Sequence, residues 1–578
     1  MKILLLATAY NSLTQRTHLE LAYRGDQVSI ELGLNDEVMI EAVELYQPDL
    51  IIAPMLKQVI PETIWRHHIC IILHPGIKGD RGPSALDWAI ANKVESWGVT
   101  ALQANGEMDA GDIWASVNFP MQSVSKSCLY RSQLTQAAIQ AILQTVERFE
   151  SGTFTPEPLD YTKPDVQGCL RPYMKQRFRA IDWCRDSTST IVQKIRSADS
   201  QPGLLDWIHG KKYYLYGAHP EDTLTGTPGE IIAQRQGAIC RATVGGAVWI
   251  SHLKPKTRNR LSLKLPAALV LADELTTVPE SDVPLTVSPH RQTYKDIWYE
   301  EKNQVGYLHF DFYNGAMSTD HCQRLRDAFL YARSQKTKVI VLLGGQDFWS
   351  NGIHLNIIEA AENSADESWR NINAMNDLIH TILTTDSHLV IAGLQGNAAA
   401  GGVMLALAAD QVYARRGIVL NSHYKHMGLY GSEYWRYSLP KRVGSKKARE
   451  LTDICMPMGT QVAQEIGLID QAFADQPDSF RQQIQFVAEE FAHHPAYGQQ
   501  LALKQEQRQR DERFKPLAAY RHEELAQMRR NFYDSDQSYH QQRYNFVYKV
   551  TASQTPRHLA IHRQRADSEK VCSLIFAQ

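Results

Sequence analysis

The feature that most constrains this chain is a strand that ends in a histidine and runs into a loop rich in glycine and proline. The apolar run Cys70 to Leu73 predicts a β-strand, followed by His74 to Pro83 (HPGIKGDRGP) and then by Ser84 to Ile90 (SALDWAI). Pro83 is expected at the first turn of a helix over Ser84 to Ala91, where a missing N–H costs nothing. That places His74 at the carboxyl end of a strand, where open α/β sheets hold their ligands. A carboxylate, Asp109, arrives on a second glycine-bounded loop, Met108 to Ile113 (MDAGDI). An imidazole and an acid on two such loops suit general acid/base chemistry, because the acid orients the ring and raises its pKa.

A chain of 578 residues is too long for one core and, at roughly 150 residues per domain, divides into three or four. Its net charge of −2 gives no electrostatic case for a nucleic-acid partner, so small-molecule substrates are expected. No run of about 18 apolar residues could span a membrane. Met1 and Lys2 lead straight into the apolar run Ile3 to Ala7, with no secretory signal expected. The eight cysteines, Cys572 among them, are scattered without a C-x-x-C pair, which suggests no metal site, no disulfide framework and a cytoplasmic setting.

In the first half, the short apolar runs Ile3 to Ala7, Leu50 to Pro54 and Ile69 to Leu73 alternate with helical patterns such as Asp36 to Tyr46, which predicts an α/β fold on a parallel sheet. Asn11 to Arg16 is a ligand-facing loop without the G-x-G-x-x-G of a dinucleotide site. Ser125 to Glu147 is helical, and Thr153 to Pro164 is a proline-rich link. Lys211 to Tyr216, Gly229 to Ile232, Ile239 to Val244 and Ala247 to Leu253 read as short strands of a small OB-like β-barrel.

The run from His74 to Ile90, with Trp97 to Thr100 (WGVT) and Met108 to Ile113, resembles the 10-formyl-tetrahydrofolate formyltransferases of the methionyl-tRNA formyltransferase group. Ile181 to Trp183 and Ile191 to Ser197 are similar to that family's connector, and the barrel to its second domain. The resemblance implies that His74 and Asp109 are catalytic, the His stabilising the oxyanion and the Asp assisting proton transfer. It also implies that Ile72, Arg81 and Gly82 stand at the folate. Ile72 is a departure, since the family carries an asparagine there. An isoleucine cannot donate a hydrogen bond, and one lost oxyanion donor costs about 2.7 to 4 kcal/mol. Either another donor substitutes, or the acceptor is reactive enough without it.

Asp273 to Pro289 is rich in Pro, Ser, Thr and acids and reads as a linker. After it, Val305 to Phe312 reads as a strand, Ser318 to Tyr331 as a helix and Val339 to Leu343 as a buried strand running into Phe348 to Leu355 (FWSNGIHL). A further strand, Leu389 to Leu394, runs into Gly396 to Leu405 (GNAAAGGVML). This pair of strand-to-glycine-to-helix turns resembles the crotonase superfamily, the enoyl-CoA hydratases and isomerases. It implies a CoA thioester held by the backbone N–H groups of Ile353 and Gly401, with Ser350, Gly352 and Gly402 around it. Where the hydratases carry two glutamates that handle water, this chain has Met404 and Tyr424. Water addition is therefore not expected, and Tyr424 and Glu433 are the expected proton-handling groups. A solvated surface turn is the alternative for Glu433, and His354 is expected to support rather than to react. Lys446 to Thr452 and Gln461 to Gly467 read as helices, and Glu489 to Tyr548 as helices packed on the core or as a dimer surface, whereas Ala552 to Gln578 carries no signal.

The two folds fused in this order, with both departures, are similar to the hydrogenase maturation family called HypX or HoxX, over about residues 1 to 550. That resemblance implies formyl transfer from 10-formyl-tetrahydrofolate to coenzyme A, decarbonylation of formyl-CoA to CO, and a nickel-iron hydrogenase large subunit or its maturation proteins as partners. The expected domains are a catalytic formyltransferase domain 1–165, a helical connector 166–200, the barrel 201–270, a linker 271–290, a crotonase-like domain 291–475, a helical region 476–550 and a tail 551–578. Two alternatives stay open: an amine or amino-sugar formyltransferase fused to a CoA isomerase, and a maturation scaffold that binds without turnover.

Overall fold

The computed structural model describes residues 1–258, 261–288 and 290–564, so Cys572, Pro289 and the last fourteen residues of the expected tail lie outside the described residues. The chain forms two compact units: Met1–Ala180 with Arg196–Pro202 and Thr551 onward, and Ile181–Ile195 with Gly203–Val550.

The first unit is built on six strands: β1 (Lys2–Ala7), β2 (Gln27–Leu32), β3 (Leu50–Met55), β4 (Cys70–His74), β5 (Ser96–Gln103) and β6 (Ile113–Pro120). They lie in the order β2-β1-β3-β4-β5-β6. β1 pairs in parallel with β2 and β3, and β3 with β4, as the alternating pattern predicts. β5 and β6 then extend the sheet antiparallel, β5 beside β4 and β6 beside β5. Ile3 to Ala7 are fully buried, the mark of a central strand covered on both faces. The helix after the histidine loop is Ala85–Ala91 with Ser84 as its N-cap, so Pro83 precedes the helix instead of sitting in its first turn.

The tail that carries no sequence signal is partly structured and closes this sheet. β2 is its edge, and an open edge offers unpaired N–H groups to other chains. Ile30 N–H donates to the Leu559 carbonyl (3.0 Å), and Leu32 N–H to Thr555 Oγ1 (2.8 Å). Glu31, fully buried, accepts from Thr555, His562 (3.0 Å) and Arg563 (2.8 Å).

In the second unit, Leu204–Ile208, Lys211–Glu221, Gly246–Pro255, Ala238–Thr243 and Ile231–Arg235 form an antiparallel sheet in that order. Within the stretch expected as a helical connector, only Gln176–Phe178 and Thr188–Ala198 are helical. The expected linker runs along the sheet, with Gln234 N–H donating to Pro279 O and Ser281 N–H to Gln234 O. The following fold has a main sheet ordered Ile297–Lys302, Val305–Phe310, Val339–Leu343, Leu389–Leu394, Gln411–Arg415 and Gln471–Phe473. A smaller sheet of Phe348–Ser350, Asn397–Ala399, Val419–Asn421 and Met458–Gly459 lies beside it in the sequence of turns. Val339–Leu343, Leu389–Leu394 and Gln411–Arg415 of the main sheet each lead into a strand of the smaller sheet, and the turns at Gly352 and Gly401 follow the first two of those smaller strands. Ser318 caps the helix Thr319–Ser334 in a reciprocal box with His321. The helices Pro477–His493, Tyr497–Phe514, Leu517–Tyr533 and Tyr539–Tyr548 complete the unit.

Candidate functional site

In the first unit β4 ends at His74, which is 3% exposed, and the chain reverses through Pro75 to Gly82. The reversal is held by β5: Trp97 Nε1 donates to Pro75 O (2.8 Å) and Thr100 Oγ1 to Gly76 O (2.8 Å). Asp109 does arrive at the ring, its Oδ2 3.4 Å from His74 Nδ1. It sits at φ +53°, a conformation that aspartate tolerates better than most residues, and its Oδ2 also accepts from Gly82 N–H (3.0 Å). The other ring nitrogen, Nε2, lies 3.0 Å from Asp80 Oδ2, a partner that motif reading passed over. Burial alone would lower the His74 pKa, but the two carboxylates outweigh it and push it up to about 9. Burial would raise Asp109, and the His74 ring with the Gly82 N–H holds it below the usual carboxylate range.

Of the three residues expected at the folate, Arg81 and Gly82 shape the loop and Ile72 lies on the strand. Arg81 ties the two loops together, donating from Nε to Met108 O (2.9 Å) and from Nη2 to Glu107 (2.7 Å). Gly82, at φ +111°, lies so close to the Arg171 carbonyl that a Cβ would overlap it. Ile72 stands two residues before His74 on the same face of β4 and packs with the cluster that contains Leu4 and Ile51, offering no donor.

In the second unit, the strand Val339–Leu343 leads through Phe348–Ser350 to Gly352 and Ile353. Ser350 is fully buried and its Oγ accepts from Gly352 N–H (3.1 Å). Gly352 has φ +76°, and a Cβ on it would stand 3.2 Å from the Gly401 nitrogen, so the two expected turns abut. Gly401 opens the helix Gly401–Leu407 behind Ala400, which is itself at φ +48°. Among the described residues neither the Ile353 nor the Gly401 N–H has a protein acceptor. Gly402 packs against the Ser350 carbonyl, and its own carbonyl accepts from Trp349 Nε1 (2.8 Å).

Glu433 is not on a surface turn: it is 2% exposed, and a Cβ added to Gly401 would overlap its Oε1. Its Oε2 accepts from Tyr424 OH (3.0 Å) and from Ser432 N–H (2.9 Å). Burial pushes its pKa up to about 7 against the pull of those two donors. Burial and the Glu433 charge keep the Tyr424 phenol far above its ordinary value, so it stays a neutral donor. Glu433 and Tyr434 lie at φ +62° and +59°, a costly pair for non-glycine residues. Two residues absent from the motif reading hold them there. Asn376 Oδ1 accepts from Glu433 N–H (2.9 Å), and Glu524 accepts from Tyr434 N–H (2.9 Å) and Arg436 N–H (2.9 Å). His354 caps the next helix: its Nδ1 accepts from Ile357 N–H (3.3 Å) at the start of Leu355–Ala360. Met404 is fully buried.

The α/β sheet that carries His74 and the spiral fold that carries the two free amides correspond to a formyl transferase domain joined to an enoyl-CoA hydratase/isomerase domain. Family profiles agree: formyl transferase matches residues 17–146, formyl transferase C-terminal domain 173–267, and enoyl-CoA hydratase/isomerase 300–552. The chain is 27% identical to methionyl-tRNA formyltransferase of Geobacter metallireducens over 229 residues, 39% of this chain and 71% of that protein. The chain is 48% identical over 568 residues, 98% of both proteins, to hydrogenase maturation factor HoxX of Bradyrhizobium diazoefficiens. The crystal structure of HypX from Aquifex aeolicus in complex with tetrahydrofolic acid superposes with a TM-score of 0.94 at 46% identity, covering 97% of this chain and 99% of that one. This chain belongs to the HypX/HoxX family of hydrogenase maturation factors. The described residues include no helix long and apolar enough to cross a membrane.

Proposed function

We propose that this protein makes carbon monoxide in two steps: formyl transfer from 10-formyl-tetrahydrofolate to coenzyme A, then decarbonylation of the formyl-CoA. In the first step the CoA sulfur bonds to the formyl carbon and the carbonyl π pair moves onto oxygen. The carbon–N10 bond then breaks with its electron pair going to N10, which takes up the proton that the thiol gave away. His74 donates to the oxyanion and Asp109 assists the proton transfer, with Ile72, Arg81 and Gly82 around the folate. A thiol is a better nucleophile than an amine once partly ionised, which eases the loss of a donor at position 72.

In the second step the Ile353 and Gly401 N–H groups hold the thioester oxygen, with Ser350, Gly352 and Gly402 shaping the turns that present them. Glu433 takes the formyl proton, the C–H electron pair stays on carbon as CO forms, and the C–S pair leaves with sulfur. Tyr424 and Glu433 then pass the proton to the thiolate. The carbon does not change oxidation level, so the step needs no redox partner. One observation carries this reading: a buried carboxyl with a pKa of about 7 lies against Gly401 beside two free amides, while Met404 and Tyr424 take the places of the hydratases' two water-handling glutamates. A base poised near neutrality can act both ways in one turnover. The CO would serve as an iron ligand of nickel-iron hydrogenase in the cytoplasm, with the hydrogenase large subunit or its maturation proteins as recipients.

The test supplies synthetic formyl-CoA to the purified protein and follows CO by the absorption change of reduced haemoglobin. CO appearing one-for-one with free thiol is expected; formate with no CO would contradict the decarbonylase step.

A further inference from the structure

We propose that Asp80 is a second positioning residue for His74, gripping Nε2 from the buried side so that the Nδ1 edge, beside Asp109, is the working edge of the ring. This inference rests on the formyl-transfer reading of His74 and deepens it. The two acids are not equivalent. Asp80 is 3.0 Å from Nε2 and its side chain is fully buried, whereas Asp109 is 3.4 Å from Nδ1 with a side chain 15% exposed. A substrate therefore reaches the ring from the side of Asp109.

The loop is built to bring Asp80 in. Gly76 is not held at a left-handed φ, so backbone freedom does not explain its glycine. A Cβ there would stand 2.6 Å from His74 Nε2 and 2.7 Å from Asp80 Oδ2, so the space at position 76 is the space the pair occupies. Gly168 abuts the Asp80 backbone, where a Cβ would overlap it, and its N–H donates to Lys78 O (2.8 Å). Arg171 Nε donates to the free oxygen, Asp80 Oδ1 (2.9 Å), and so anchors the carboxylate without competing for the histidine. The charged groups facing the ring are thus Asp80 and Asp109, with Arg171 behind the first and Arg81 behind the second. Held between two acids, His74 is a cation at neutral pH, and a charged donor makes a hydrogen bond about twice as strong as a neutral one. That is the donor strength a site lacking the asparagine at Ile72 requires.

The test compares wild type with D80N and G76A in two measurements on the full chain. One is the NMR titration of His74, assigned with H74Q; the other is the pH profile of 10-formyl-tetrahydrofolate consumption with CoA. In wild type, transfer should fall as pH rises through about 9, where His74 loses its proton. D80N should titrate at least about one pH unit lower, a tenfold change in proton affinity, and its alkaline limb should move with it. Its kcat should fall more than its KM rises. G76A, which pushes the pair apart without changing a charge, should move the same two readings in the same direction if D80N proves too unstable to study. Wild-type turnover with variant limbs and His74 titrations that match wild type would overturn the role of Asp80. A shifted His74 titration in a wild-type protein that transfers no formyl would leave Asp80 in place and overturn the formyl-transfer reading instead.

Discussion

Replacing Glu433 by glutamine separates function from stability in a way that few substitutions do. Glutamine matches the shape: its Oε can still accept from Tyr424 OH and Ser432 N–H, and the backbone turn stays fixed by Asn376 and Glu524. What disappears is the group that can take a proton. A positioned base contributes about 10² to 10⁴ in rate, so formyl-CoA decarbonylation should fall by that factor, and its rise through about pH 7 should vanish with it. Stability should move the other way. Lifting this carboxyl from 4.5 to about 7 means that ionising it costs the folded unit about 3 kcal/mol. The folded pKa is the raised one, so the penalty is absent below 4.5, grows as pH climbs, and is complete above about 7. E433Q carries no charge and should match wild type at low pH but exceed it by about 3 kcal/mol in denaturant unfolding at about pH 8. A variant that keeps decarbonylation within about tenfold of wild type, or that unfolds more easily at about pH 8, would refute the assignment of Glu433 as a buried base.

Asp109→Asn should cut 10-formyl-tetrahydrofolate consumption by about 100-fold or more while leaving supplied formyl-CoA breaking down at the wild-type rate; equal losses would contradict two separate sites. Gly401→Ala puts a methyl group into Glu433 Oε1, and should lower decarbonylation more than about tenfold with the folate reaction intact, read from the two half-assays. Burial would raise the Glu31 pKa, but His562, Thr555 and Arg563 hold it below 4.5, so its contribution to stability is present above that value and lost as acid carries pH through the folded value. Glu31→Gln should therefore loosen residues 555–564, cost the first unit about 3 to 5 kcal/mol, and speed proteolytic cleavage near Thr551.

Local order was legible in the sequence wherever an apolar run had to be buried on both faces: Val339–Leu343 and Leu389–Leu394 begin and end where their side chains alone place them. His74, Asp109 and the two glycine turns were legible for a related reason, since strand ends and glycines fix where the chain must reverse. The partners that complete each site were not. Asp80 is six residues from His74 in a loop without periodicity, and what aims it at the ring is Arg171, 91 residues away. Glu524 looks like one more polar residue on an exposed-type helix; only the tertiary fold lays it against Tyr434 and Arg436. The closing segment at Thr555 and His562 is polar, with no pattern to announce burial, because its burial depends on a charge waiting on β2.

The central claim is that one chain converts a folate-bound formyl group into carbon monoxide. It is tested most directly by giving the purified protein CoA and 10-formyl-tetrahydrofolate labelled with carbon-13 in the formyl group, and analysing gas and solution together. Carbon-13 monoxide that requires CoA and is lost in both Asp109→Asn and Glu433→Gln is expected, with formyl-CoA accumulating only in the second. Labelled formate as the sole product, or formyl loss that proceeds without CoA, would contradict it.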